Sequence, residues 1–96
     1  MDSFESTLFG LLAGLDGITR GEVIGNTQVG EYTIDTCNTI DQGWETAICK
    51  GSGEWIVVAR YPNKTEAEQG HADWAQVCSL NPTKAWSVQL DEYVEF

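Results

Sequence analysis

Trp44-Glu45-Thr46-Ala47-Ile48-Cys49 is followed, after Gly51-Ser52-Gly53, by Trp55-Ile56-Val57-Val58-Ala59-Arg60-Tyr61 and then Pro62-Asn63-Lys64-Thr65-Glu66-Ala67; this stretch decides the fold. Both runs are rich in β-branched and aromatic residues and alternate with a period of two. The first puts Trp44, Thr46 and Ile48 on one face. The second sets Trp55, Val57, Ala59 and Tyr61 against Ile56, Val58 and Arg60. The Gly-Ser-Gly link between them predicts an antiparallel hairpin. Pro62 breaks the second strand. Asn63 can cap a helix, and Glu66 stands three residues on, as a capping box requires. Ala67, Gly70, His71, Trp74, Val77 and Cys78 then share one helical face, while Glu66, Glu68, Asp73 and Gln76 lie mostly on the other. Asn81-Pro82 ends the helix.

Working outward, residues 29–36 read as a further strand, set off from residue 44 by the turn Asp41-Gln42-Gly43. In the tail 86–96, Trp86, Val88 and Leu90 alternate with Ser87, Gln89 and Asp91. That predicts one last strand, joining the sheet or adding to a neighbour's sheet edge. Toward the N-terminus, Phe4, Leu8, Leu11, Leu12 and Leu15 recur at helical spacing over residues 3–16. Asp2 or Ser3 can cap this helix, and Gly17 can stop it. Residues 17–30 hold Gly17, Gly21, Gly25 and Gly30 and read as a loop or irregular arm, with a brief strand at 22–24.

The expected architecture is a single α+β domain over 1–96. Residues 1–28 supply an N-terminal helix and a Gly-rich arm. Residues 29–96 supply a compact βββαβ-like core, an antiparallel sheet of three or four strands packed on one amphipathic helix. Gly70, His71 and Trp74 are the expected helix–sheet packing residues. Phe4, Leu8, Leu11 and Leu12 on the apolar helix, with Trp86, are the candidate partner-binding residues.

Composition narrows the function. The chain has 96 residues, 42% of them hydrophobic, with four Trp, too apolar for a disordered chain. A chain this short buries a modest core, so oligomerisation or docking on a larger partner would add stability. Fifteen acidic residues against five basic ones give a net charge of −10. Direct nucleic-acid binding needs clustered Lys and Arg. The five here (Arg20, Lys50, Arg60, Lys64 and Lys84) are scattered, so no such binding is expected. The acids at 2 and 5 do not fit a secretory signal, and the apolar run at 8–15 is too short to cross a bilayer, so no membrane partner is expected. Cys37, Cys49 and Cys78 form no C-x-x-C pair. They read as buried thiols, with a Cys37–Cys49 bridge the alternative in an oxidising setting. No catalytic constellation, nucleotide fingerprint or cofactor motif is present. His71 and Cys78 share a helix face, but a metal site there would need Cys37 and Cys49 to converge on them.

One resemblance appears at this point. The strand bearing Glu45-Thr46, the strand ending in Arg60-Tyr61, and the acidic helix opening with Ala67-x-x-Gly70-His71 and running to Trp74 together resemble a widespread group of small tailed-phage proteins. The match covers residues 44–74, about a third of the chain. The resemblance implies a phage-encoded protein, assigns no catalytic activity, and makes Gly70 and His71 structural. Gly70 would let the helix approach the sheet, and His71 would bond a strand backbone group.

The expected function is therefore binding rather than catalysis, with no cofactor and no metal. The leading expectation is an accessory virion component, a capsid decoration or cement protein or a tail-associated one. Its partner would be a larger capsid or tail assembly, with self-association of the chain a further expectation. The alternatives are an early inhibitor that turns its acidic surface on a basic host defence or nucleic-acid-binding protein in the host cytoplasm, and a sponge for a small ligand.

Overall fold

The computed structural model describes residues 20–39 and 42–96. The N-terminal helix expected at 3–16, with Phe4, Leu8, Leu11 and Leu12, lies outside the described residues. The rest forms the strands β1 (Arg20–Val29), β2 (Tyr32–Thr39), β3 (Gly43–Lys50) and β4 (Ile56–Tyr61), the helix α1 (Lys64–Cys78), and the strands β5 (Lys84–Ser87) and β6 (Glu92–Glu95). The α+β class holds. The first four strands make one antiparallel sheet in the order β1-β2-β3-β4, and β5 and β6 make a separate two-stranded sheet.

Two expectations are corrected. Residues 20–29 form a ten-residue edge strand rather than an irregular arm. Val29 pairs with Tyr32 across a two-residue turn, Gly30-Glu31. Gly30 there takes φ +59, a conformation open to glycine at the first central position of a tight hairpin turn. Glycine density, a loop signal on its own, here supplies that hairpin turn and, at Gly25, a close approach to the helix. Recruiting β1 also moves the next strand on, to Tyr32–Thr39 instead of 29–36. The second correction is the tail. It folds back on itself at residues 88–91 rather than running as one strand. Asp91 adopts φ +60 at the turn. Its N–H donates to the Ser87 carbonyl at 2.8 Å, and the Leu90 N–H donates to Ser87 Oγ at 2.9 Å.

A β-bulge in β4 decides which side chains meet the helix. Ala47 pairs with Val57, but the next position, Thr46, pairs with Ala59. The extra residue shifts the alternation by one, as bulges do. Ala59 and Tyr61 therefore join Ile56 on the helix side, away from Val57, with which strict alternation grouped them. Arg60 comes opposite Glu45 on the other side.

The helix side holds the main core: Tyr32, Ile34, Ile48, Ile56, Val58, Cys78 and Ala85, with Trp74, Ala75, Val94 and Phe96 packed against it. The other side carries Cys37, Ala47, Cys49, Trp55 and Val57. In α1 the Asn63 side chain accepts from the Glu66 N–H at 2.9 Å, the expected cap. Ala67, Gly70 and Cys78 are buried and His71 and Trp74 half-buried, whereas Val77 turns out to solvent. The hairpin β5–β6 is held by its inner face and by β4. Ala85 enters the core, Phe96 packs edge-on against Tyr32 at 5.3 Å, and the Tyr32 hydroxyl donates to the Pro82 carbonyl at 2.6 Å. The Val88 N–H donates to the Val57 carbonyl at 2.9 Å, meeting the β4 edge at one point.

Candidate partner-binding face

Two places gather the side chains that sequence reasoning singled out. One is the seam between α1 and the sheet. The other is the outer face of the terminal hairpin.

At the seam, the backbones come close because two glycines permit it. A β-carbon at position 70 would overlap the Tyr61 ring, and one at position 25 would stand 2.9 Å from His71 Nε2. His71 then fits between β1 and β2. Its Nε2 lies 2.8 Å from Thr27 Oγ1 and its Nδ1 lies 2.7 Å from Thr36 Oγ1. Thr36 continues to Thr46 at 2.6 Å, and Thr46 to the Tyr61 hydroxyl at 2.9 Å. The expected bond from His71 to a strand backbone group is thus replaced by two bonds to threonine hydroxyls. A neutral imidazole has one donor and one acceptor nitrogen, and a hydroxyl can do either, so the whole chain is satisfied without charge. Burial lowers the His71 pKa from 6.5, opposed by the nearby Asp35 carboxylate. Burial raises the Tyr61 pKa, opposed by the Thr46 bond, with Asp73 adding to the rise. Both groups are held neutral; the two His71 bonds tie helix to sheet, and the Thr46–Tyr61 bond ties β3 to β4.

The opposite side of the sheet carries charge. Glu45 is buried, and its carboxylate accepts from Arg60 Nε at 3.1 Å. Its pKa is nevertheless raised, because burial outweighs the Arg60 hydrogen bond and charge. Asn26 Nδ2 donates to the buried Asp35 at 2.6 Å. Cys78 is buried on the helix side, and burial pushes its thiol up to about 11. Cys37 and Cys49 lie on the other side. The sheet therefore separates the thiols that a shared metal site with His71 would have to bring together. The ladder also separates Cys37 from Cys49. Cys37 pairs with Glu45, and Cys49 pairs with Thr33. Four residues of strand span about 13 Å, beyond the roughly 7 Å between α-carbons that a disulfide bridges.

The hairpin presents a different surface. Ala85 and Ser87 face inward, so Lys84 and Trp86 face out. Across the ladder Lys84 pairs with Glu95 and Trp86 with Tyr93. The two rings meet edge to face at 5.0 Å, and the Lys84 ammonium lies 4.8 Å over the Tyr93 ring. Trp86 is 42% exposed, Tyr93 61%, and Leu90 at the turn 60%. This is an aromatic pair held in one geometry and left open to solvent. Trp86 was legible in the sequence as a candidate. Tyr93 and Leu90 were not, because one continuous strand gives no reason for residue 93 to come back beside residue 86. Gly70, His71 and Trp74 converge at the seam, and Trp86 stands apart from them on the hairpin.

The charge around these sites is one-sided. Lys64 pairs with Glu22, Arg60 with Glu45, Lys50 lies 5.5 Å over the Tyr32 ring, and Lys84 lies over Tyr93. Each of these four cations is engaged within the fold, and the acidic excess is what solvent meets. Among the described residues no group of three His, Cys, Asp or Glu side chains gathers to hold a metal ion. No protein-family model, no curated protein and no solved structure matches the chain.

Proposed function

We propose that this protein is a non-catalytic binding component, an accessory protein of a tailed-phage particle that docks on a larger capsid or tail assembly through the outer face of its terminal hairpin. The observation that carries the reading is the Trp86–Tyr93 pair. Tryptophan and tyrosine dominate the energetics of protein interfaces when they stand pre-ordered in the free protein. Here both are exposed, packed on each other, and fixed by a hairpin whose inner face is core. An exposed apolar pair that does nothing for the core is a cost in solubility that a binding role explains. The particle itself is suggested by the resemblance over residues 44–74. Mass spectrometry of purified particles tests it. The chain is expected at many copies per particle, and absence from particles made in cells that express it defeats the reading.

The acidic excess favours a second reading, inhibition of a basic host protein. With the four described Lys and Arg side chains engaged internally, the outward field is negative. Such binding would weaken steeply as salt screens it. Loss of complex between 50 and 500 mM salt, with the chain absent from particles, would favour this reading over the first.

A further inference from the structure

We infer that β1, an edge strand of the main sheet among the described residues, pairs with β1 of a second copy of this chain and makes one continuous antiparallel sheet across a two-fold axis. The sheet has two edges, and the fold treats them differently. The β4 edge is met by Val88, whose N–H donates to the Val57 carbonyl. Beyond β1 no further strand lies among the described residues. An unpaired edge offers a row of N–H and C=O groups to another strand, and proteins ordinarily guard such edges with charge, proline or bulges. β1 has its guards at one end only. Register shifts fall between Arg20 and Val23 and between Val23 and Gly25. From Gly25 to Val29 the strand is regular and pairs residue by residue with Thr36 to Tyr32. This regular half contains no proline and no charged residue.

Charge also chooses the occupant. A second copy brings another −10, so the two chains repel over most of their surface. Along Gly21–Val29 the sole charged residue is Glu22, which forms an ion pair with Lys64. The edge is thus a nearly neutral line on an acidic molecule, where a like copy is tolerated best and a basic partner gains least. An antiparallel pair centred on Thr27 is self-complementary, as a two-fold interface requires. Thr27 faces its own copy, and Gly25 faces Val29 of the second copy. Two four-stranded sheets then become one of eight. Both helices lie on the same side of it, and both hairpin faces stay free.

Light scattering of the intact protein across a concentration series, with hydrogen exchange on the same samples, tests this. The expected result is a mass rising from 10.6 kDa toward twice that value, with concentration-dependent protection of amides within residues 25–29 and none across residues 84–95. A mass that stays at 10.6 kDa up to about 1 mM, where even weak specific association registers, would overturn the inference. So would a dimer whose new protection falls on the hairpin or the helix. A mass that stays at that of one chain leaves the particle reading of Trp86 and Tyr93 untouched, and particle mass spectrometry reads that proposal separately, so the two failures are distinguishable.

Discussion

The seam between α1 and the sheet and the outer face of the hairpin are built from similar residues and are put to opposite uses. The seam holds Trp74, Tyr61 and His71, the hairpin Trp86 and Tyr93. At the seam the polar tips of His71 and Tyr61 both have partners: His71 on both nitrogens, Tyr61 through Thr46. The apolar bodies pack under the helix. On the hairpin the rings touch mainly each other and Lys84. A ring whose contacts are all internal holds the fold together. A ring fixed in place but open to solvent is available to a partner. If this division is right, substitutions at the seam should cost stability, those on the hairpin should not, and the order of effects follows from packing.

Gly70→Leu should have the largest effect. Its side chain must occupy the volume of the Tyr61 side chain, where even a β-carbon overlaps two ring carbons and the hydroxyl oxygen. Overpacking of this kind costs about 3 kcal/mol or more, against which the better helix propensity returns only about 1 kcal/mol. Urea denaturation should show a chain unfolded or nearly so, and a stability within 1 kcal/mol of the wild type would break the account of the close approach.

Arg60→Ala should come next. It strips the partner from a carboxylate that is 2% exposed. Hydrogen bonds to charged groups are worth about 1.5–3 kcal/mol, and a loss of about 2 kcal/mol at pH 7 is expected. The loss should shrink at pH 4. Burial already raises the Glu45 pKa above 4.5, and without Arg60 the carboxyl rises further, so acid neutralises it readily. Thr36→Val tests the hydroxyl chain itself. It deprives both His71 Nδ1 and Thr46 Oγ1 of a partner in one step, at a cost of about 2 kcal/mol.

The His71 titration is a smaller effect with a defined sign. Burial lowers its pKa in the fold below 6.5, so the unfolded chain takes up the proton first as pH falls. The contribution is fully present above pH 6.5 and is lost as pH falls through the folded value. His71→Asn should flatten the fall in stability between pH 6.5 and about 5, above the range where most carboxylates titrate. An unchanged slope would mean that His71 is as solvated in the fold as in the unfolded chain.

Local chemistry made much of the fold legible. The cap at Asn63 and Glu66, the strand of residues 44–49 and the stop at Asn81-Pro82 are each decided within a few residues, and each stands where the sequence puts it. Three features are decided at a distance and were not legible. Residues 20–29 become a strand because β2 offers them an edge, not through propensity. The bulge at β4 has no signature in Val57-Val58-Ala59, since an extra residue is visible only against its partner strand. The tail folds back because Ala85, Val94 and Phe96 find the core around Tyr32. That last feature hid half of the candidate site, since Tyr93 gains its meaning from the residue it is folded against.

Trp86→Ala should therefore have the smallest effect on stability of all these changes, and that is what would sharpen the comparison most. The ring is 42% exposed, and its described ring partner is Tyr93, itself 61% exposed. An aromatic pair of this kind contributes about 0.5–1.5 kcal/mol, and exposure places the expected loss near about 0.5 kcal/mol, close to the scatter of surface substitutions. Incorporation into particles should respond differently. Truncating a central aromatic anchor costs about 2 kcal/mol or more of binding, which is roughly a thirtyfold loss of affinity. Competition between wild-type and Trp86→Ala chains for sites on particles reads that ratio directly, and Tyr93→Ala should behave alike. Equal incorporation of a well-folded Trp86→Ala chain would show that the pair is a surface ornament of the hairpin, and the contrast with the seam would then carry no functional meaning.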